Sequence, residues 1–199
     1  MNKAENTRNL IINKAAPIFN IKGIAGTSIE DVVRAAKVAR GCLYGHFENK
    51  EELASVCVDY LLSSGSLKTD DTLKKGKTAR EKIHRFLEFD KNPLQPAVEG
   101  GCPVMNMAAE ADDTNPLITK KLKKNVDHYL SLFEGILKDG IRSGEFSDSL
   151  NPADFAMKMF CAVKGATVIS RIKNSAAPMK IVVSDLKREL DLHLAKPGK

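Results

Sequence analysis

Tryptophan is absent from this chain of 199 residues, and aromatic side chains make up only 6% of it. Alternating runs rich in valine, isoleucine and threonine are hard to find, whereas the good helix formers alanine, leucine, lysine, glutamate and methionine recur throughout. The composition predicts an all-α chain. No apolar run approaches the roughly 18 residues of a membrane span, and the start MNKAENTRN lacks the apolar core of a signal peptide. A cytoplasmic protein with no membrane partner is expected. The four cysteines, Cys42, Cys57, Cys102 and Cys161, lie far apart with no CxxC pair. That spacing fits free thiols in a reducing compartment better than disulfides or a structural zinc site.

The net charge of +6 and a pI near 9.1 permit a nucleic-acid partner without demanding one. Residues 1–66 hold only 8 of the 31 Lys/Arg against 7 of the 25 Asp/Glu. Bulk basicity therefore carries no argument there, and the case rests on the placement of Arg34, Lys37, Arg40 and Lys50. The segment Thr27–Glu51, TSIEDVVRAAKVARGCLYGHFENKE, supplies that placement. Ser28 is a good N-cap with Asp31 three residues on, and Ile29, Val32, Val33 and Ala36 form an apolar stripe at helical spacing. The pattern breaks at Lys37-Val38-Ala39. A second short helix follows, with Arg40, Tyr44 and His46 as polar groups and Leu43 and Phe47 one turn apart as its buried pair. Two short helices joined this tightly, the second rich in donors, read as a helix-turn-helix entering a DNA major groove.

Before this segment, a first helix is expected from about residue 3 to Ile21, with Ile12, Ala15, Ala16 and Phe19 as its apolar stripe and a bend or break near Asn13 caused by Pro17. Gly23 and Gly26 supply the turn that follows. After it, Asn49 caps a longer helix, and the polar run SSGSLKTDDTLKKGKT (63–78) reads as a connection and a domain boundary. Further helices are predicted around Ile83, Phe86, Leu87 and Asp90, from Pro103, from Pro116 to Ser143-Gly144, from Pro152 to about Lys173, and from Pro178 to about Ala195. The last two look adhesive: Ala162, Gly165, Ala166 and Ile169 form a small-residue face, and Val182, Leu186, Leu190 and Leu194 a strip at steps of four.

The N-terminal helix, GIAGTSIEDVVRAAKVARGCLYGHFENKEEL and the helical remainder resemble the TetR family of bacterial transcriptional regulators, and GGCPVMNMAAEADDTNPLITKKL resembles the ligand-domain segment of one branch of it. The resemblance implies a three-helix DNA-binding domain over residues 1–62 and a larger helical ligand-binding and dimerisation domain over 63–199, about nine helices in all. It implies a homodimer formed through the last two long helices, a roughly palindromic double-stranded operator, and a small-molecule inducer that releases a repressor from it. It also implies that Thr27 and Ser28 meet phosphates, that Arg40, Gly41 and Cys42 face base edges or backbone, that Tyr44 and His46 hold phosphates, and that Lys50 adds a contact. The chain departs from the family pattern at Lys37, where the turn usually carries glycine, at Ala39, which lacks a capping hydroxyl, at Cys42 in place of a common threonine, and at Gly45. A missing cap and a mid-helix glycine cost about 1 kcal/mol each, which predicts a recognition helix weakly formed without DNA.

Phe86, Phe89, Cys102, Met105, Met107, Phe133, Met159 and Phe160 are candidates to line an inducer cavity, or else are plain core. Cys102, at a helix N-cap, reads either as a thiol sensor or scavenger of electrophiles and oxidants or as a small residue packed behind Pro103. No Cys/His/Asp arrangement supports turnover, so neither catalytic residues nor a cofactor are expected. Cys42 and His46 share a metal-ligand spacing without a third ligand, so no metal is expected. A DNA-binding repressor with a filled core and no inducer is the remaining alternative.

Overall fold

A computed structural model describes residues 2–89, 91–96 and 98–195. Among them are nine helices and no strand: α1 (Lys3–Gly26), α2 (Ile29–Ala36), α3 (Arg40–Tyr44), α4 (Lys50–Lys74), α5 (Ala79–Phe89), α6 (Pro103–Ala111), α7 (Pro116–Arg142), α8 (Pro152–Ile172) and α9 (Ala177–Leu192). The one extended pairing is an isolated bridge between Phe146 and Leu194. Asp90, expected near the end of α5, lies outside the described residues.

The helix starts follow local chemistry. Asn2 accepts from the Glu5 amide at 2.9 Å, Asn49 from the Glu52 amide at 2.8 Å, Asn115 from the Ile118 amide at 3.1 Å, and Asn151 from the Ala153 and Asp154 amides. Each supplies an acceptor to an amide that the first helical turn leaves unpaired.

Two expectations fail. Pro17 does not break α1: the residues around Asn13 keep helical dihedrals, and the exposed position of Asn13 leaves room for the ring. The residue that leaves the helical region is Gly23, at φ 76° and ψ 172°. Nor is 63–74 a connection: α4 continues through it to Lys74, with Thr69 and Leu73 buried and a Tyr129 hydroxyl 3.3 Å from the Thr69 hydroxyl. Packing of these two residues outweighs the weak apolar periodicity on which the expectation rested.

The chain divides into two compact units: Met1–Gly65 with Ala97–Lys123, and Ser66–Pro96 with Lys124–Lys199. In the first, α1 packs on α2 and α6. Ile11, Ala15, Ala16 and Phe19 of α1 are fully buried, as are Val32, Leu43, Leu53 and Met107. In the second, α9 packs on α8 and α5, and Ile83, Leu87, Phe133, Leu137, Met159, Val163, Met179 and Leu190 are fully buried in one cluster.

Candidate nucleic-acid interface

The site is built from the turn that follows Lys22. Gly23 takes a positive φ that a side chain resists, and a Cβ built there stands 2.6 Å from a Glu110 carboxylate oxygen. The chain then makes one more helical turn, whose first amides have no partner within it. Glu110 on α6 fills both: its Oε2 accepts from the Ile24 amide at 2.7 Å and its Oε1 from the Ala25 amide at 2.6 Å. The Thr27 hydroxyl donates to the Gly23 carbonyl at 2.6 Å, and Lys50 Nζ to the Ala25 carbonyl at 3.4 Å.

α2 opens on a complete capping box. The Ser28 hydroxyl accepts from the Asp31 amide at 3.1 Å, and the Asp31 carboxylate accepts from the Ser28 amide at 3.2 Å. Lys22 and Arg34 also pair with Asp31, at 3.0 and 2.8 Å. The Lys22 ammonium, then the Ser28 amide and hydroxyl, hold the Asp31 carboxyl far below the usual carboxylate range.

Lys37 ends α2 in the left-handed region, at φ 54° and ψ 42°, the conformation for which a glycine is normally chosen. α3 then forms over five residues with no side-chain cap on Ala39. Gly45 is its C-cap at φ −73°, not an interior residue, so the expected mid-helix cost does not arise there. Leu43 and Phe47 are buried, and the Arg8 guanidinium lies 4.9 Å from the Phe47 ring centre. With that face anchored, Arg40, Gly41 and Tyr44 stay exposed, Ser28 is exposed at the head of α2, and Cys42, His46 and Lys50 are half-buried. Thr27 differs from the rest. It is only 1% exposed, with its hydroxyl occupied by Gly23.

Arg40 pairs with Glu30 of α2 at 3.0 Å. Neither Glu30 nor Glu110 stood out in the sequence. An acidic residue in the first turn of a helix reads as a dipole partner, and the partners of Glu110 lie 85 and 86 positions away along the chain.

The residues expected around an inducer divide between the two units. Phe86, Phe133, Met159 and Phe160 share the core of the second unit, with the Phe86 and Phe133 ring centres 4.5 Å apart. Phe89 is 40% exposed and borders an open groove of about 570 Å³ with Arg80, His84 and Glu88. Cys102, Met105 and Met107 stand on or beside α6 in the first unit, Cys102 half-buried at its N-cap without a side-chain cap bond, and Met107 fully buried. Burial pushes the Cys57 thiol up to about 12. Among the described residues, no group of three or more His, Cys, Asp or Glu is placed to hold a metal ion, and no helix is long and apolar enough to cross a membrane.

Residues 11–57 match the model of the bacterial regulatory proteins of the tetR family, and residues 80–186 that of the tetracyclin repressor-like C-terminal domain. A solved TetR transcriptional regulator from Chloroflexus aurantiacus J-10-FL is 30% identical, with a TM-score of 0.93 and 98% of each chain covered. A TetR-family regulator from Cytophaga hutchinsonii is 30% identical at the same TM-score, with 99% of each covered. The HTH-type transcriptional repressor DhaR of Mycobacterium sp. (strain GP1) is 20% identical over 172 residues, 86% of each chain. Head, C-terminal part and full-length likeness thus agree with the helix-turn-helix geometry: the chain belongs to the TetR family and is a DNA-binding transcriptional regulator.

Proposed function

We propose that the protein is a homodimeric repressor, cytoplasmic, that holds a roughly palindromic operator with one α3 per subunit in successive major grooves and is released by a small-molecule inducer. Residues 1–62 provide the DNA-binding part, and 63–199 the inducer site and the dimer contact. The observation that carries this reading is α3 itself, anchored by Leu43 and Phe47 with Arg40, Gly41 and Tyr44 left exposed. In this reading Arg40, Gly41 and Cys42 face the bases, and Ser28, Tyr44, His46 and Lys50 the phosphates, with Thr27 supporting the turn. Repression is supported by the name of the Mycobacterium relative. Dimerisation is supported by the exposed apolar residues Met157, Ile169 and Ile172 on α8 and Ile181 and Leu192 on α9. Phe86, Phe89, Cys102, Met105, Met107, Phe133, Met159 and Phe160 remain the candidates for inducer contact. Coupling of about 1–3 kcal/mol lowers operator affinity by about 5- to 150-fold, enough for induction.

The test is mobility shift on the DNA flanking the protein's own gene, with Tyr44→Ala and Lys50→Ala variants beside the wild type. Both variants weaken binding to all sequences alike, and Lys50→Ala lowers the salt slope by about one. Absence of any specific complex at low salt removes the operator reading, and a monomer in light scattering removes the dimer. A thermal-shift screen with small electrophiles and apolar metabolites identifies the inducer class.

A further inference from the structure

We propose that Glu110 is a positioning residue for DNA binding: its carboxylate latches the turn from which α2 and α3 start. Near its end α1 is interrupted at Gly23, in a conformation that other residues resist, and the next two amides open the turn that follows without a partner in the helix before it. A single half-buried carboxylate from α6, with one oxygen on each amide at 2.7 and 2.6 Å, satisfies both. Such charge-assisted bonds are shorter and about twice as strong as neutral ones. The fit is mutual, because a Cβ on Gly23 collides with Glu110 at 2.6 Å. Only a glycine at position 23 lets the carboxylate close on the turn.

The latch is aimed. One turn earlier on α6, Asn106 donates to the Asn20 carbonyl at 2.9 Å and to the Gly100 carbonyl at 3.1 Å. Buried Asn20 donates in turn to the Glu99 and Gly101 carbonyls, at 2.6 and 3.1 Å. α6 therefore holds the end of α1 at Asn106 and the turn at Glu110. From the turn to the capping box is three residues, with Thr27 and Lys50 fixing the Gly23 and Ala25 carbonyls and Lys22 reaching Asp31 across it. The direction in which α2 leaves, and with it the attitude of α3, is set by a residue that lies outside both helices, on α6.

This role separates from one in folding by what it does to DNA. Without the latch the turn samples other arrangements, and apparent affinity falls in proportion to the fraction still competent. The experiment uses the full-length protein and a duplex that the wild type selects from a random-sequence pool. Glu110→Gln keeps the size and replaces one acceptor by a donor facing an amide. It is expected to lower affinity for the selected duplex about tenfold, while low-salt binding to an unselected duplex, which follows the unchanged basic residues, stays the same. Amide exchange read by mass spectrometry quickens over residues 23–26 and is unchanged over 10–19. Gly23→Ala, which dislodges the carboxylate from the other side, gives the same split, and the double variant is no worse than either single one. Equal affinity of Glu110→Gln and wild type for the selected duplex overturns the proposal. So does parallel loss of selected and unselected binding with exchange quickened throughout α1, which marks a purely structural residue. A wild type that selects no duplex at all removes the DNA reading and this proposal together, an outcome distinct from the other two.

Discussion

Arg40 and Glu30 face each other across the helix-turn-helix, guanidinium Nη2 to carboxylate Oε1 at 3.0 Å, with more than half of each side chain exposed. Arginine is the side chain of α3 suited to bidentate guanine recognition, and Glu30 holds one of its donors. An exposed pair of this kind is worth about 0–1 kcal/mol, less than the about 1–3 kcal/mol of a good base contact. A base contact by Arg40 is therefore expected to displace Glu30. Arg40→Ala is expected to flatten base preference at one position per half-site. Glu30→Gln is expected to tighten binding to any duplex by about two- to fivefold, since it frees the guanidinium and removes a like charge facing phosphate. Mobility shift on single-base operator variants reads both effects; an Arg40→Ala protein with undiminished base preference contradicts this assignment.

Lys37 gives a stability prediction of the opposite sign from most substitutions. Left-handed dihedrals cost a residue with a Cβ about 1–2 kcal/mol, and glycine returns about 0.5–1 kcal/mol of that through the entropy of its unfolded state. Lys37→Gly is expected to raise stability by about 0.5–1 kcal/mol, seen as a higher urea midpoint at unchanged slope. A lower midpoint would mean that the lysine side chain makes a contact outweighing the strain.

Phe133 decides between a filled core and a cavity. It is fully buried, with Phe86 at 4.5 Å and Tyr129 at 5.9 Å between ring centres. Truncation to alanine in a filled core costs about 3–5 kcal/mol. That loss in urea unfolding supports plain packing, whereas a cost under about 1 kcal/mol supports a ligand-sized space at this ring.

Acid should lower the stability of the second unit in two steps. His84 is held below its ordinary 6.5, first by burial and then by the Arg80 charge, with its Nε2 enclosed 3.3 Å from Asp191 without the alignment of a hydrogen bond. The unfolded chain takes up that proton first, so stability declines as pH falls through 6.5 and levels off below the folded value. Asp191 is held below its ordinary 3.8 chiefly by the Arg80 hydrogen bonds, and Glu88 below 4.5 chiefly by Lys187. Their contributions are complete above those ordinary values and vanish as pH falls through the lower folded ones. The urea midpoint is expected to drop as pH falls through the ordinary histidine value of 6.5. His84→Asn removes that step and leaves the drop below about pH 4. An unaltered profile in this variant rules out His84 as its source.

What the sequence discloses of this molecule is what it encodes locally. Ser28 with Asp31, Asn49 with Glu52, Asn115, Asn151 and Pro103 mark helix starts that the structure places where the residues ask for them. The turn at Lys37 shows as a broken apolar stripe. Local reading fails where partners are distant. Residues 63–74 look like a linker until Tyr129 meets Thr69, 60 positions away. Pro17 looks like a break because its missing donor is visible, yet the dihedrals around Asn13 stay helical. Glu110 sits in a helix like any surface glutamate, and its partners lie 85 and 86 positions away.

Because α6 belongs to the same compact unit as the first 65 residues, the order of synthesis and the order of completion differ. When residue 62 has left the ribosome, the sequence of α1, α2 and α3 is complete, but α6, which packs on α1, is still to be translated, with Asn106 and Glu110. The contacts between α1 and α6 can form only after that later segment is made. A chimera joined at residue 62 pairs a foreign head with a native α6, so transplanting DNA preference between relatives requires carrying residues 97–123 along with the head.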